Sequence, residues 1–291
     1  MPAAAPEVAH HVADKPRRIV ARTKGRRNGL AVRLMSPSDF GQLLKPFVFL
    51  DFFDNQGPPF VGALHPHSGI ATLSYLIDGR MDLIDPDGNT VVLPGGGVEW
   101  MQAGRGMWHG GSVGDSGHGR VRGFQLWVAL PPALELGPTV AAFQSTEQIV
   151  SAGSARVLLG SYGGVSSAIQ APSPMAFLAV KLQAGERWTY TPPPGHTVLW
   201  SSPVEGGLLA DGVCLYPEEL IAFDESNEPV VFDALTDAQF ILGSAVPHPH
   251  DLALGYYSVH TSPQALADGE AHIQAVGRRL VAQGRLSPRV L

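Results

Sequence analysis

Short apolar runs recur along the chain between clusters of Gly, Pro, Asp and Asn. Runs of this length, bounded by turn residues, read as strands rather than helices. In the first half they are Leu30–Met35, Phe47–Phe53, Gly69–Ile77, Met81–Ile84, Thr90–Leu93, Val98–Ala103, Met107–His109 and Val121–Leu130. The turn signal Asp85-Pro86-Asp87-Gly88 makes Met81–Ile84 and Thr90–Leu93 a hairpin. Pro131-Pro132 opens a loop-rich stretch that reaches about Val150. The second half repeats the texture, with runs at Phe177–Leu182, Thr197–Ser201, Gly207–Leu209, Glu219–Phe223, Pro229–Phe232 and Phe240–Leu242. Only the end has helical spacing: after Ser262-Pro263, the residues Ile273, Val276 and Leu280 share one helix face, with a serine or threonine cap before Pro263. No repeat of propeller or solenoid length is present. The pattern predicts an all-β chain of two similar barrels with a C-terminal helix. Residues 18–145 would form the first barrel and 146–291 the second, after a tail over residues 1–17.

Composition sharpens this picture. Gly and Pro make up 59 of 291 residues, spread along the whole length, against an average near 12%. That excess suits many tight turns and argues against a helical bundle. Charged residues are only 16% and hydrophobic ones 44%, enough to fill a core and to exclude a wholly disordered chain. No apolar run approaches the ~18 residues of a membrane span, and Met1 to Ala13 lacks the basic-then-apolar order of a secretory signal. The chain therefore reads as soluble and cytoplasmic, and as a monomer. Its single cysteine, Cys214, cannot form an internal disulfide and excludes a cysteine zinc site. It reads as a buried or half-buried small residue without a redox task.

The net charge of −6 is unevenly placed. Residues 1–150 hold 13 acids and 13 bases, whereas residues 151–291 hold 13 acids and 7 bases. Eight bases and no acid lie between Lys15 and Arg33. Such a stretch can meet nucleic acid or an acidic partner, but it also suits a solvated edge strand on which Lys and Arg block unwanted pairing. The overall acidity argues against nucleic acid as the main ligand.

The candidate chemistry begins at His65-Pro66-His67. Residues two apart on a strand point to the same side, so both imidazoles would enter one space; surface His pairs without a role are equally compatible with the string. His109 follows about forty residues later, after Gly104-Arg105-Gly106-Met107-Trp108. That spacing leaves room for the strands that would bring it beside the pair. Three imidazoles suit iron, nickel, copper, cobalt or zinc, and not calcium or magnesium. Gly104-Arg105-Gly106 is no dinucleotide loop, because no βαβ pattern surrounds it. Trp100, Met101, Trp108 and Phe124 could line a pocket or simply fill the barrel core. A second string, His248-Pro249-His250, reads as a loop, with a second metal at His248, His250 and His260 as the other option.

The run His65-Pro66-His67-Ser68-Gly69, then Thr72 and Ser74-Tyr75-Leu76, then Trp100-Met101-Gln102-Ala103-Gly104-Arg105-Gly106 and His109, resembles the pirin family of the cupin superfamily. Phe124-Gln125-Leu126-Trp127-Val128 and the stretch from Pro46-Phe47 to Asp51-Phe52-Phe53 fit as well. The resemblance is dense over roughly residues 20–130. It is thinner beyond, where Gly185, Leu242-Gly243 and the helix after Thr261 keep the layout. It implies two stacked cupin-type jelly-roll barrels, the second metal-free. The first would hold one divalent metal, Fe(II) before Ni, Cu, Co or Zn, on three His and one Glu. The three His fall on His65, His67 and His109, whereas the Glu falls on Gly111. The Glu that standard cupins place four residues after the second His falls on Ala71. Three outcomes stay open: three His hold metal in an open shell, Glu99 stands in as the missing acid, or the metal is lost.

The resemblance implies two functions. Bacterial members are often quercetin 2,3-dioxygenases, which open a flavonol ring with O₂; Glu99 or bulk base would then take the proton of the flavonol hydroxyl. Other members are metal-dependent binding proteins and transcriptional co-regulators. In that role the basic stretch and the acidic second half would be contact surfaces for a protein partner.

Overall fold

Strands form along nearly every apolar run, and each half of the chain folds them into two facing antiparallel sheets. The computed structural model describes residues 17–57, 60–84, 89–113 and 120–290. In the first half the larger sheet runs in the order Val140–Gln144, Val98–Gln102, Ile70–Asp78, Val121–Ala129, Phe47–Asn55, Ala31–Met35, Arg26–Asn28. The smaller one runs Phe60–His67, Met107–Val113, Arg80–Ile84, Thr90–Pro94. The second half repeats the plan. Its larger sheet is centred on Val198–Glu205, Ala238–Ala245 and Met175–Leu182, and its smaller one is built from Arg187–Tyr190, Val230–Ala234, Leu208–Ala210 and Val213–Leu215. Neighbouring strands are often far apart in sequence, as in a jelly roll, and the expected pair of cupin-type barrels is present. Arg80–Ile84 and Thr90–Pro94 pair as expected, while the turn at 85–88 and residues 1–16 of the expected tail lie outside the described residues. Arg17, the last residue assigned to that tail, is instead buried and donates to the Asp224 carbonyl.

The two parities of each long strand go to different places. On the larger sheet of the first half, Leu73, Tyr75, Trp100, Phe124, Leu126 and Phe52 face the second barrel. There they join Leu158, Phe177, Trp200 and Ile241 in one apolar cluster. Phe47 meets Trp200 edge-on at 5.5 Å. This shared core explains why Ile70–Leu76 is buried without a break: both faces of that strand are covered. The alternate parity faces the interior of the first barrel. In the second barrel the same interior is filled by Leu178, Val180, Tyr190, Phe232 and Phe240.

Of the four candidate pocket residues, all turn out to be packing. Trp100 and Phe124 lie in the shared core, and Met101 packs with Ala103 and Met107. Trp108 packs against Leu280 and Leu286, and its indole donates to the Ile273 carbonyl at 2.8 Å. Cys214 is exposed, contrary to the expectation of burial. It sits on an edge strand whose flanking Leu215 takes the inward position. Val140–Gln144 is a strand inside the stretch expected to be loop. As an edge strand whose first two residues are exposed, it carries no apolar alternation in the sequence.

The halves on either side of residue 145 exchange their ends. Ile19–Thr23 is the edge strand of the second half's larger sheet, paired with Leu220–Phe223. Conversely, the hairpin Ala253–Gly255/Ser258–His260 and the helix Pro263–Ala282, capped by Ser262, pack on the first barrel. Ser68 bridges Ser258 there. Behind it lies a buried chain in which His260 Nε2 is 3.0 Å from Ser68 Oγ and His260 Nδ1 is 3.1 Å from Glu135 Oε2. Glu135 also accepts from the Thr261 backbone and hydroxyl at 2.7 and 2.6 Å. The exchange accounts for part of the charge asymmetry as well: Arg22 and Lys24 lie against Glu219, and Arg27 against Glu218.

Candidate metal centre

His65 and His67 sit two apart on Phe60–His67, so they share a side. His109 lies on the adjacent antiparallel strand directly opposite His65. Their ring centroids are 4.6 to 5.0 Å apart, and one ligand nitrogen from each lies within 4.8 Å of the others. The turn that delivers His109 needs its glycines. Gly104 has φ +54°, and a Cβ there would sit 2.2 Å from the Gly137 carbonyl oxygen.

The imidazoles are prepared as neutral donors. The Tyr257 carbonyl can only accept, so His67 Nδ1–H donates to it at 3.0 Å, and Nε2 keeps its lone pair. His109 Nε2 is buried without a hydrogen-bond partner. Burial, then the imidazoles of His109 and His65, hold His67 well below the usual histidine range, and burial, then His65, holds His109 down at about 3. An orphaned buried nitrogen costs about 1–3 kcal/mol, which a coordinated cation would recover. The residues present therefore fit a divalent metal of the borderline class.

A cavity of about 590 Å³ lies between the two sheets of the first barrel. The three histidines stand on the smaller sheet. Facing them on the larger sheet are Glu99, Ser74 and Gln125. Trp127 stacks on Phe49 at 4.1 Å and meets His67 edge-on at 4.9 Å. Tyr257, from the exchanged hairpin, lies 5.6 Å from His65 ring to ring and has φ +54°, a left-handed conformation that tyrosine seldom adopts. Trp127, Ser74 and Gln125 stood in the strings that carry the family resemblance, but without a role. Tyr257 had no signal at all, since only the exchange of ends places it here.

Glu99 does not belong to the converging group. It is 1% exposed, and its Oε2 accepts from Ser74 Oγ at 2.7 Å while Oε1 has no partner. Burial raises its carboxyl to about 7, partly opposed by the Ser74 hydrogen bond. His248 and His250 lie in a loop with rings 5.4 Å apart, and His260 is held by Glu135 and Ser68. Among the described residues, the only metal-capable group is the first one.

The two positions where an acidic ligand was expected differ in kind. Ala71 faces the shared core, away from the cavity. Gly111 does line the cavity, but the pairing register shifts between His109 and Gly111. A Cβ at Gly111 would sit 2.8 Å from the Asp82 carbonyl oxygen and 3.1 Å from Leu83 Cδ2. Gly111→Glu is therefore expected to cost about 1–3 kcal/mol of stability and to leave metal affinity no tighter. Urea unfolding and a metal titration check this; tighter binding at unchanged stability would show that the strand accommodates an acid.

No helix among the described residues is long and apolar enough to cross a membrane. Residues 30–128 match the family model described as Pirin. A pirin-like protein of Caulobacter vibrioides is 41% identical over 114 residues, covering 38% of this chain and 41% of that protein. A protein of Pseudomonas aeruginosa named "Putative quercetin 2,3-dioxygenase" is 30% identical over 237 residues, covering 76% of this chain and 82% of that protein. The chain thus spans less than half of the first relative's length but most of the second's. The crystal structure of quercetin 2,3-dioxygenase from Acinetobacter baumannii superposes with a TM-score of 0.79 at 20% identity, over 90% of this chain and 98% of that one. A bacterial pirin from Escherichia coli in complex with nickel(II) superposes with a TM-score of 0.63 at 16% identity, over 76% and 94%. At such identities these two likenesses speak for the fold.

Proposed function

Because the chain belongs to the pirin family, we propose that His65, His67 and His109 hold one divalent metal, Fe(II) foremost, and that the cavity beside them takes a flavonol for quercetin 2,3-dioxygenase-type ring opening. The observation that carries this reading is the meeting of three imidazole nitrogens, one orphaned, at the wall of an aromatic-lined cavity. The names of relatives support it: a Pseudomonas protein is named a putative quercetin 2,3-dioxygenase, and an E. coli pirin binds nickel(II).

When bound, the metal would supply Lewis-acid activation of a ligand hydroxyl and the redox capacity toward O₂ that no side chain here offers. The chain's own residues do the rest. Phe49, Phe53 and Trp127 offer apolar surface to a flat ring, and Tyr257 closes one side. The Tyr257 carbonyl fixes the His67 tautomer. Glu99 is the proton acceptor for the ligand hydroxyl, a task its free Oε1 and near-neutral carboxyl suit.

Protein purified without added metal is expected to carry stoichiometric metal and to consume O₂ when quercetin is added, followed by metal analysis and an oxygen electrode. No metal, even after soaking in Fe²⁺ or Ni²⁺, would remove this reading. Glycine at 111, where a fourth, acidic ligand was expected, favours a second one: a metal-dependent binding protein or transcriptional co-regulator. Stoichiometric metal without quercetin-dependent uptake would support that alternative.

A further inference from the structure

The larger sheet of the first barrel places five polar residues in one line. Register pairs Arg33 with Asp51, Asp51 with Gln125, Gln125 with Ser74, and Ser74 with Glu99. All five share the inward parity and line the cavity. An inward row of this kind is costly unless it is satisfied. One end of it is. The Arg33 guanidinium forks onto both Asp51 oxygens and lies over the Phe49 ring, 4.0 Å from its centroid.

The other end is not. Ser74 Oγ lies 2.7 Å from Glu99 Oε2 and 2.9 Å from Gln125 Oε1. A hydroxyl carries one proton and cannot donate to both acceptors. The trio balances when Glu99 is protonated, or when Gln125 turns its amide nitrogen to Ser74. Either way Glu99 Oε1 stays unpartnered at the cavity wall, in a residue 1% exposed. Glu99 and the histidines line the same cavity from different sheets, so a ligand lying between the sheets would meet both.

We infer that Glu99, set by Ser74 and Gln125, is a second anchor that hydrogen-bonds a ligand hydroxyl and selects uncharged, polyhydroxylated planar aromatics over carboxylate-bearing ones. The inference rests on taking this cavity as the ligand site; it does not require the metal. The selection against carboxylates follows from charge. Arg33 is the one Lys or Arg among the described lining residues, and it is already neutralised by Asp51. An anionic ligand would thus meet two protein carboxylates and no free cation on this wall. A neutral hydroxyl can donate to Oε1 both when Glu99 is the carboxylate and when it is the acid with its proton on Oε2 toward Ser74, so it satisfies Oε1 in either state.

The test uses the full chain, as purified and again after chelator treatment, with quenching of tryptophan fluorescence as the readout. The probes are quercetin, flavone (the same ring system without hydroxyls) and gentisate (a hydroxylated ring with a carboxylate). In the stripped protein quercetin is expected to bind at least about tenfold more tightly than flavone, and gentisate more weakly still. Glu99→Gln, an isosteric change assayed at pH 8 where the wild-type carboxylate accepts a charge-assisted bond that the amide cannot match, is expected to weaken quercetin about tenfold and to leave flavone unchanged. Ser74→Ala should weaken quercetin in the same direction. Equal affinities for quercetin and flavone, tighter binding of gentisate, or an unmoved quercetin affinity in Glu99→Gln would each overturn the inference. Quercetin binding by a protein that takes up no metal would uphold it while the oxygenase reading falls. Metal and oxygen uptake with no effect of Glu99→Gln on quercetin affinity would do the reverse.

Discussion

Replacing His109 with alanine is expected to abolish metal binding while the protein stays folded. His109 supplies one of three nitrogens that lie within 4.8 Å of one another, and two imidazoles on one strand cannot enclose a cation. Loss of an outer-shell partner alone commonly costs 10–100-fold in affinity, so removal of a ligand should exceed about a hundredfold. The fold should survive for a specific reason. His109 Nε2 is buried and unpartnered in the metal-free state, so its removal relieves a polar burden of about 1–3 kcal/mol that offsets part of the cavity left behind. Metal analysis after soaking, beside a urea unfolding curve, measures both halves. Full metal content in His109→Ala would mean that the three rings are not the ligand set.

Glu99→Gln is expected to stabilise the metal-free protein at pH 8 by about 3 kcal/mol, and by much less at pH 5. The reason is burial: it lifts the Glu99 carboxyl from its ordinary 4.5 to about 7 in the folded chain. Between those values the folded state holds a proton that the unfolded state has released. Stability therefore falls as pH rises through this window. The group carries no penalty below about 4.5 and its full penalty above about 7. The gap corresponds to about 3 kcal/mol. Glutamine keeps the shape and cannot ionise, so it escapes the penalty. Unfolding midpoints at the two pH values check the prediction, and an equal difference at both would show that Glu99 ionises without cost. The same substitution should weaken a hydroxylated ligand, so stability and ligand affinity move in opposite directions at one residue, as expected where a polar group is kept inside for binding.

What the sequence disclosed follows the physics of strands. His65 and His67 were legible as a pair because alternation is local, and His109 because turn residues counted out the strands between them. The glycine turn before His109 and the helix after Ser262 were legible for the same reason. The polar row was not, because it depends on register across five strands and no single segment shows it. Ser74 lies 25 positions from Glu99 and 51 from Gln125, yet all three meet in one hydrogen-bonded trio. Gly111 and Ala71 shared the same apparent deficit, a missing acid. Only the register shift and the facing of each strand separate a position that borders the cavity from one that never could. Cys214 was misjudged because a cysteine's usual burial does not hold on a short edge strand. Trp100 and Phe124 were ambiguous because a large aromatic suits a pocket and an inter-barrel core equally well.

Tyr257 belongs to the second half of the chain yet completes the first barrel's cavity, and its carbonyl sets the proton position on His67. A ribosome would deliver both histidines of the pair, and then His109, long before it delivers that carbonyl. The nascent first barrel would thus have its ligand nitrogens without the partner that orients one of them. Maturation of the centre is in this sense tied to synthesis of the second half, and a product truncated before the hairpin would carry the histidines without the finished site.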